Sequence, residues 1–170
     1  MHDLAWLNSL PAEDAARELL QCCGSKRWAT QTAGARPYAD LLDLVERANE
    51  IWWSLDRDDW LEAFRSHPRI GEKKSADTVT ARAQQWSSNE QAGVNTAAAE
   101  TTNALGELNR EYEAKFGYIF IICATGKTSG EILAALRERI EHDAAEELPI
   151  AAAEQSKITE LRLKKLLTSP

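Results

Sequence analysis

The run His67-Pro68-Arg69-Ile70-Gly71 places an imidazole where chemistry can use it. Histidine titrates near neutrality, so one side chain can both take and give a proton. A residue before proline is pushed out of helical geometry, which predicts that a helix carrying Trp60, Leu61 and Phe64 ends near Ser66-His67. Gly71 lets the following loop turn closely. Rigid loops at helix ends are common homes for catalytic groups. A packed or surface histidine would suit the same context, and the local sequence leaves both readings open.

Ser87-Ser88-Asn89-Glu90-Gln91 is the second candidate. Ser88-x-x-Gln91 has the pattern of a capping box. It predicts the start of a long helix, where free N–H groups and a positive dipole end suit an anionic ligand. Glu90, in that first turn, could then orient an imidazole, although capping alone would account for the residues. Arg162 is the third candidate, flanked by Leu161 and Leu163 and followed by Lys164-Lys165. A solvated arginine is the usual outcome, and one turned inward needs a carboxylate from a side chain or a substrate. Ala124-Thr125-Gly126-Lys127-Thr128 resembles a phosphate-binding loop only in part. That motif needs a glycine five residues before Gly126, where this chain has Ile121.

Helices must position these residues. Ser9-Leu10-Pro11 reads as a helix start, with Ala15, Ala16, Leu19, Leu20 and Cys23 on one face and Gly24 as the stop. Residues 25–37 read as a loop. A helix is expected from Tyr38 to Ser54, with Tyr38, Leu41, Leu42, Val45, Ala48 and Trp52 as its apolar stripe. A short helix follows the Asp56 to Asp59 cluster, and a weak one spans Thr78 to Trp86. The strongest pattern, Val94, Ala98, Thr101, Leu105, Leu108 and Tyr112, predicts a long helix from Ser88 to Lys115, closed by Gly117. Residues 118–124 (YIFIICA) have strand composition but no convincing partner, so an extended segment through a helical core is expected. Ser129 then caps a helix with Ile132, Leu133, Leu136 and Ile140 inward. A last helix carries Ala152, Gln155, Ile158, Leu161 and Leu166, with Pro149 in its first turn or kinking it.

The 170 residues suit one domain, 1–170, with a real core, and the expected class is an all-α, single-domain helical bundle with one extended segment near 118–124. A net charge of -7 argues against nucleic acid as a partner. No apolar run approaches the roughly 20 residues that span a bilayer. Neither a signal peptide at the start nor a peroxisomal tripeptide at the end is recognised, so a cytoplasmic location is expected. Cys22, Cys23 and Cys123 make a poor disulfide framework, and no ligand spacing suggests zinc, so buried thiols are expected. Trp6, Trp28, Trp52, Trp53, Trp60 and Trp86 should mostly be core or interface anchors with paired indole N–H groups.

Taken in order, several pieces resemble the OHCU decarboxylase family, named for 2-oxo-4-hydroxy-4-carboxy-5-ureidoimidazoline. They are the Asn8-to-Trp28 opening with Cys-Cys-Gly-Ser, Arg36-Pro37-Tyr38, Ala63-Phe64 leading to His67-Pro68-Arg69-Ile70-Gly71, and Ser87 to Gly93. Leu108-Asn109, Tyr112 leading to Lys115-Phe116-Gly117, Phe120 to Ala124, and Lys157-Ile158 to Leu161-Arg162-Leu163 complete the match. The resemblance implies an all-α dimer without cofactor or metal that converts OHCU to (S)-allantoin and carbon dioxide. It implies that His67 is catalytic, with Glu90 as acidic partner and Arg162 holding substrate. Pro68, Ser87, Ser88, Asn89, Gln91, Phe120, Ile121, Ile122, Cys123 and Ala124 would wall the pocket. Without a fused hydrolase domain, the chain would depend on separate urate oxidase and 5-hydroxyisourate hydrolase. A helical module that binds a small anionic ureide without catalysis is the alternative.

Overall fold

The structure, a computed structural model, describes residues 2–70, 80–92 and 99–168. Among these residues it is all-α, with no strand. Gly71, Thr78, Gly93, Val94 and Ala98, named in the expectations above, lie outside the described residues. The chain divides into two compact units, Met1–Ala63 with Ser156–Pro170, and Phe64–Gln155.

The first unit begins with α1 (Leu4–Ser9), which Asp3 caps by accepting from the Trp6 N–H at 2.8 Å. Ser9 therefore closes a helix instead of opening one, and α2 (Ala12–Cys23) starts after Pro11. Gly24 ends α2 at φ 88°, a left-handed conformation that suits glycine. The predicted loop 25–37 contains α3 (Lys26–Gly34), capped by Ser25. Its buried face is Trp28, Ala29, Thr32 and Ala33, a single large apolar residue among small ones, which does not stand out as a hydrophobic stripe. Arg36 then satisfies helix-end carbonyls, donating to Leu7 and Leu10 at 2.6 and 2.8 Å and to Ala33 at 2.7 Å.

Helix α4 (Leu41–Ser54) starts at the Asp40 cap, not at Tyr38. It buries Leu44, Ala48 and Trp52, while Leu42 is 63% exposed, so the inward stripe is narrower than expected. Tyr38 is still buried, its hydroxyl donating to the Thr32 carbonyl at 2.6 Å. The Trp28 indole N–H donates to Ala48 at 2.9 Å, and that of Trp60, on α5 (Arg57–Arg65), to Trp52 at 3.0 Å. These pairings are what buried indoles require. The unit is completed by the end of the last helix, whose Ser156 hydroxyl donates to Asn49 on α4 at 2.7 Å.

The second unit holds the end of α5, α6 (Ala81–Glu90), α7 (Ala99–Phe116), an extended segment, α8 (Ser129–Arg139) and the start of α9 (Ala144–Thr168). Gly117 stops α7 at φ 80°, its N–H donating to Glu113. Residues 119–124 are neither helix nor strand, so their strand composition produces no ladder, as the missing partner suggested. Thr128, one residue before the expected cap, closes a capping box with Glu131 on α8. Arg139 is buried where Ile140 was expected to be, and Ile140 is half-buried. Pro149 lies inside α9, past its first turn; Pro149 and Ala145 are exposed, so the carbonyl left without a helical donor faces water.

Arg139 is inward because Glu147 is. Glu147 has no exposed surface and accepts from four donors. These are the Tyr112 hydroxyl, Arg139 Nε at 2.8 Å, Arg139 Nη2, and His142 Nδ1 at 2.8 Å. Three of these donors reach Oε1 and one reaches Oε2, so both oxygens are bonded. Burial, reinforced by the hydroxyl's bond to Glu147, raises the Tyr112 pKa well above its ordinary value. Removing one partner from a buried ion pair strands the other charge. Glu147→Ala should therefore destabilise the protein by on the order of 3–5 kcal/mol in urea unfolding, and the double change Arg139→Met with Glu147→Leu should cost less.

A second prediction concerns Cys23, buried in the first unit. Burial pushes its thiol from 9.0 to about 12, with the Arg162 charge working in the opposite direction. The unfolded chain loses this proton near the ordinary value while the folded chain keeps it. Stability should thus fall as pH rises from about 9 towards 12. Urea midpoints for Cys23→Ala should show a shallower alkaline loss than those of the unmodified chain.

Candidate functional site

His67 is reached from the end of α5. Its backbone N–H donates to Phe64 at 3.1 Å, closing a last turn before Pro68 prevents further helix. The side chain is only 8% exposed. Its Nε2 lies 2.6 Å from Oε1 of Gln155, a fully buried residue on α9. An amide oxygen only accepts, so Nε2 carries the proton in this pair. Beyond His67, Arg69 makes a two-pronged pair with Glu113 on α7, at 2.8 and 3.0 Å. That pair anchors the exit from the histidine turn to a long helix.

Glu90 is also 8% exposed. The structure corrects the expected helix start around it. Residues 87–90 form the last turn of α6, and Gln91 is its C-cap, with its N–H donating to Ser87 at 3.2 Å. The helix begins at Thr80, whose hydroxyl caps the Ala83 N–H at 3.3 Å. Ser88-x-x-Gln91 therefore has the letters of a capping box but not its place. Residues 87–90 thus lie at the C-terminal end of α6, and Ala92, the residue after Gln91, is again helical. Ser87 faces inward with Glu90, Ser88 and Asn89 are exposed, and Gln91 is half-buried.

Phe120, Ile121, Ile122, Cys123 and Ala124 are all buried. Their backbone is held by side chains in place of a neighbouring strand. Arg139 Nη1 donates to the Ile121 carbonyl at 2.7 Å, and its guanidinium lies 4.5 Å from the Phe120 ring centre. The Cys123 N–H donates to Glu154 Oε2 at 2.8 Å. Burial raises the Cys123 thiol pKa, and the charges of Glu154 and Glu90 push the same way. Glu154 and Gln155 are consecutive on α9, one gripping the extended segment and the other the imidazole. His67, Glu90 and residues 120–124 are thus gathered in one unit.

Arg162 belongs to the other unit, where it is 3% exposed and its charge acts on Cys23. It is buried, not solvated as an arginine just before a basic pair usually is. Pro68 is half-buried beside His67. Sequence reasoning did not assign Glu154, Gln155, Arg139 or Glu147 to the site. A signal existed for Gln155: it is an uncharged polar residue on an otherwise apolar stripe with Ala152 and Ile158, where a buried amide needs a partner. Among the described residues, no group of three His, Cys, Asp or Glu side chains is arranged to hold a metal ion. No helix there is long and apolar enough to cross a membrane.

Comparison with known proteins connects this geometry to a family. The family model described as OHCU decarboxylase matches residues 8–164. An Arabidopsis thaliana uric acid degradation bifunctional protein is 42% identical over 148 residues, covering 86% of this chain. The match spans only 45% of that longer protein. A Xenopus laevis 2-oxo-4-hydroxy-4-carboxy-5-ureidoimidazoline decarboxylase is 30% identical over 168 residues, covering 95% of this chain and 92% of its own. A crystal structure of OHCU decarboxylase in the presence of (S)-allantoin superposes with a TM-score of 0.77 at 40% identity, covering 89% of this chain and 98% of that one. With a match running through nearly its whole length, the chain belongs to the OHCU decarboxylase family.

Proposed function

We propose that this chain decarboxylates OHCU to (S)-allantoin and carbon dioxide, the last step from urate to allantoin. The observation that carries the reading is a buried imidazole, 2.6 Å from a buried amide oxygen, sharing a unit with Glu90 and residues 120–124. Family membership and the relatives' names supply the substrate.

The chemistry follows from the substrate. OHCU carries its carboxylate on a carbon that also bears a hydroxyl, next to a ring C=N. As the bond to the carboxylate breaks, the electron pair enters the ring and its charge reaches the imine nitrogen. The substrate supplies its own electron sink, so the protein's work is positioning and proton transfer, without a cofactor. The hydroxyl proton passes to a base as that carbon becomes a carbonyl. The former imine nitrogen takes up one proton, and a second, delivered to one face of the neighbouring carbon, sets the S configuration. One proton is consumed overall for each carbon dioxide released.

His67 is the base in this scheme, with Glu90 as its acidic partner, and Arg162 orients polar oxygens of the substrate. Pro68, Ser87, Ser88, Asn89, Gln91 and the 120–124 segment form the pocket walls. Ser87 and the 120–124 side chains are the inward-facing members of that set. A pocket that desolvates the substrate carboxylate without pairing it tightly favours loss of carbon dioxide, because a strong ion pair would stabilise the ground state. We infer further that residues 1–170 act as one functional domain in a cytoplasmic homodimer. The substrate would be formed by urate oxidase and 5-hydroxyisourate hydrolase.

The test couples purified urate oxidase and hydroxyisourate hydrolase to this protein and follows allantoin by circular dichroism. Spontaneous decay yields racemate, and the chain should yield the S enantiomer alone. A racemic product at the uncatalysed rate overturns the proposal. His67→Ala should lower kcat/KM by roughly 10²–10⁴-fold while leaving the far-ultraviolet spectrum intact. Arg162→Ala should act mainly on KM, raising it by about 10–100-fold as charge-assisted hydrogen bonds of roughly 1.5–3 kcal/mol are lost. An unchanged KM would remove Arg162 from the site.

A further inference from the structure

The proposed function gives His67 a proton to carry but does not say which ring nitrogen carries it. We propose that Gln155 is a positioning residue that fixes His67 in its Nε2–H tautomer, so that Nδ1 is the nitrogen that exchanges a proton with the substrate. This inference rests on the decarboxylase reading for its catalytic meaning, but not for its structural content.

Three observations carry it. Oε1 of Gln155 is 2.6 Å from Nε2 of His67, a short contact that this oxygen can make only as acceptor. Gln155 has no exposed surface, and its neighbours on the inward face of α9 are Ala151, Ala152, Ile158 and Thr159. Burying an amide among such residues costs stability unless it is hydrogen-bonded, and a leucine would fill the position without that cost. The preceding residue, Glu154, holds the Cys123 N–H at 2.8 Å. One turn of α9 therefore sets both the plane of the imidazole and the position of the 120–124 wall.

The choice of an amide over a carboxylate also has a physical reason. A carboxylate on Nε2 would favour the imidazolium and raise the imidazole pKa. A neutral acceptor fixes the tautomer while leaving the ring able to cycle between its two charge states. In the cycle, Nδ1 takes the substrate hydroxyl proton as the carbonyl forms. The resulting imidazolium keeps Nε2–H on Gln155 throughout, Nδ1 is the position from which the proton leaves again, and Glu90 acts on the imidazolium by its charge and not through a ring nitrogen.

The test reads the tautomer directly, without substrate. Protein labelled with ¹⁵N at histidine is followed by long-range ¹H–¹⁵N correlation, with His67→Asn identifying the His67 signals among those of His2 and His142. At alkaline pH the unmodified protein should show His67 as Nε2–H. Gln155→Leu should lose that preference and lower kcat by roughly 10–100-fold, the cost typical of losing a partner that fixes a histidine's tautomer, with little change in KM. Gln155→Glu should keep Nε2–H and shift both the His67 titration and the matching limb of the kcat–pH profile to higher pH. An Nδ1–H tautomer in the unmodified protein overturns the proposal even if neither variant folds. A folded Gln155→Leu with an unchanged tautomer and kcat also overturns it. Racemic product from the unmodified protein would instead sink the decarboxylase reading and leave the tautomer result standing.

Discussion

The second unit is organised around a carboxylate that water does not reach. Glu147, on α9, draws Tyr112 from α7, Arg139 from α8 and His142 from the connection between α8 and α9. A buried charge is tolerable only if it is paired and hydrogen-bonded, and Glu147 meets both conditions. The consequence extends beyond packing. With one side of its guanidinium committed to Glu147, Arg139 uses the remaining Nη1 to hold the Ile121 carbonyl at 2.7 Å. The buried ion pair is thereby connected to the extended segment that lines the candidate site.

That segment shows how an apolar, β-branched run can exist in a helical protein. A strand ordinarily satisfies its backbone through a neighbouring strand. Here Arg139 donates to the Ile121 carbonyl, Glu154 accepts from the Cys123 N–H, and the Lys127 N–H donates to the Ala124 carbonyl at 3.0 Å. The side chains of residues 120–124 can then all be buried. Aromatic contacts brace the same stretch, with Tyr112 5.2 Å from Phe120 and Phe64 5.4 Å from Tyr118, centre to centre. Phe64 also accepts the backbone N–H of His67, so the aromatic cluster reaches the turn that carries the imidazole.

The turn that carries Glu90 sits elsewhere in its helix than its letters suggest. A helix start at Ser88 would have made Glu90 a first-turn residue. Residues 87–90 instead end α6, and Glu90 is buried there together with Ser87.

Much of the architecture is legible in local sequence because its causes are local. Gly24 and Gly117 stop helices since only a left-handed residue closes them, and Pro68 ends the turn at His67 by steric conflict within two residues. Periodicity marked α2, α4 and α8, and the isolation of residues 118–124 was visible as a strand pattern without a partner. Local signals failed where two of them competed. The Thr80 cap outranked the Ser88 pattern, and α3 has only one large apolar side chain, Trp28, to announce it. Only the tertiary structure decided which polar residues turn inward, because their partners are remote in the chain. Gln155 is 88 residues from His67, and Glu154 is 31 from Cys123. A buried hydrogen bond depends on where two elements meet in space, and no spacing within either element encodes that meeting.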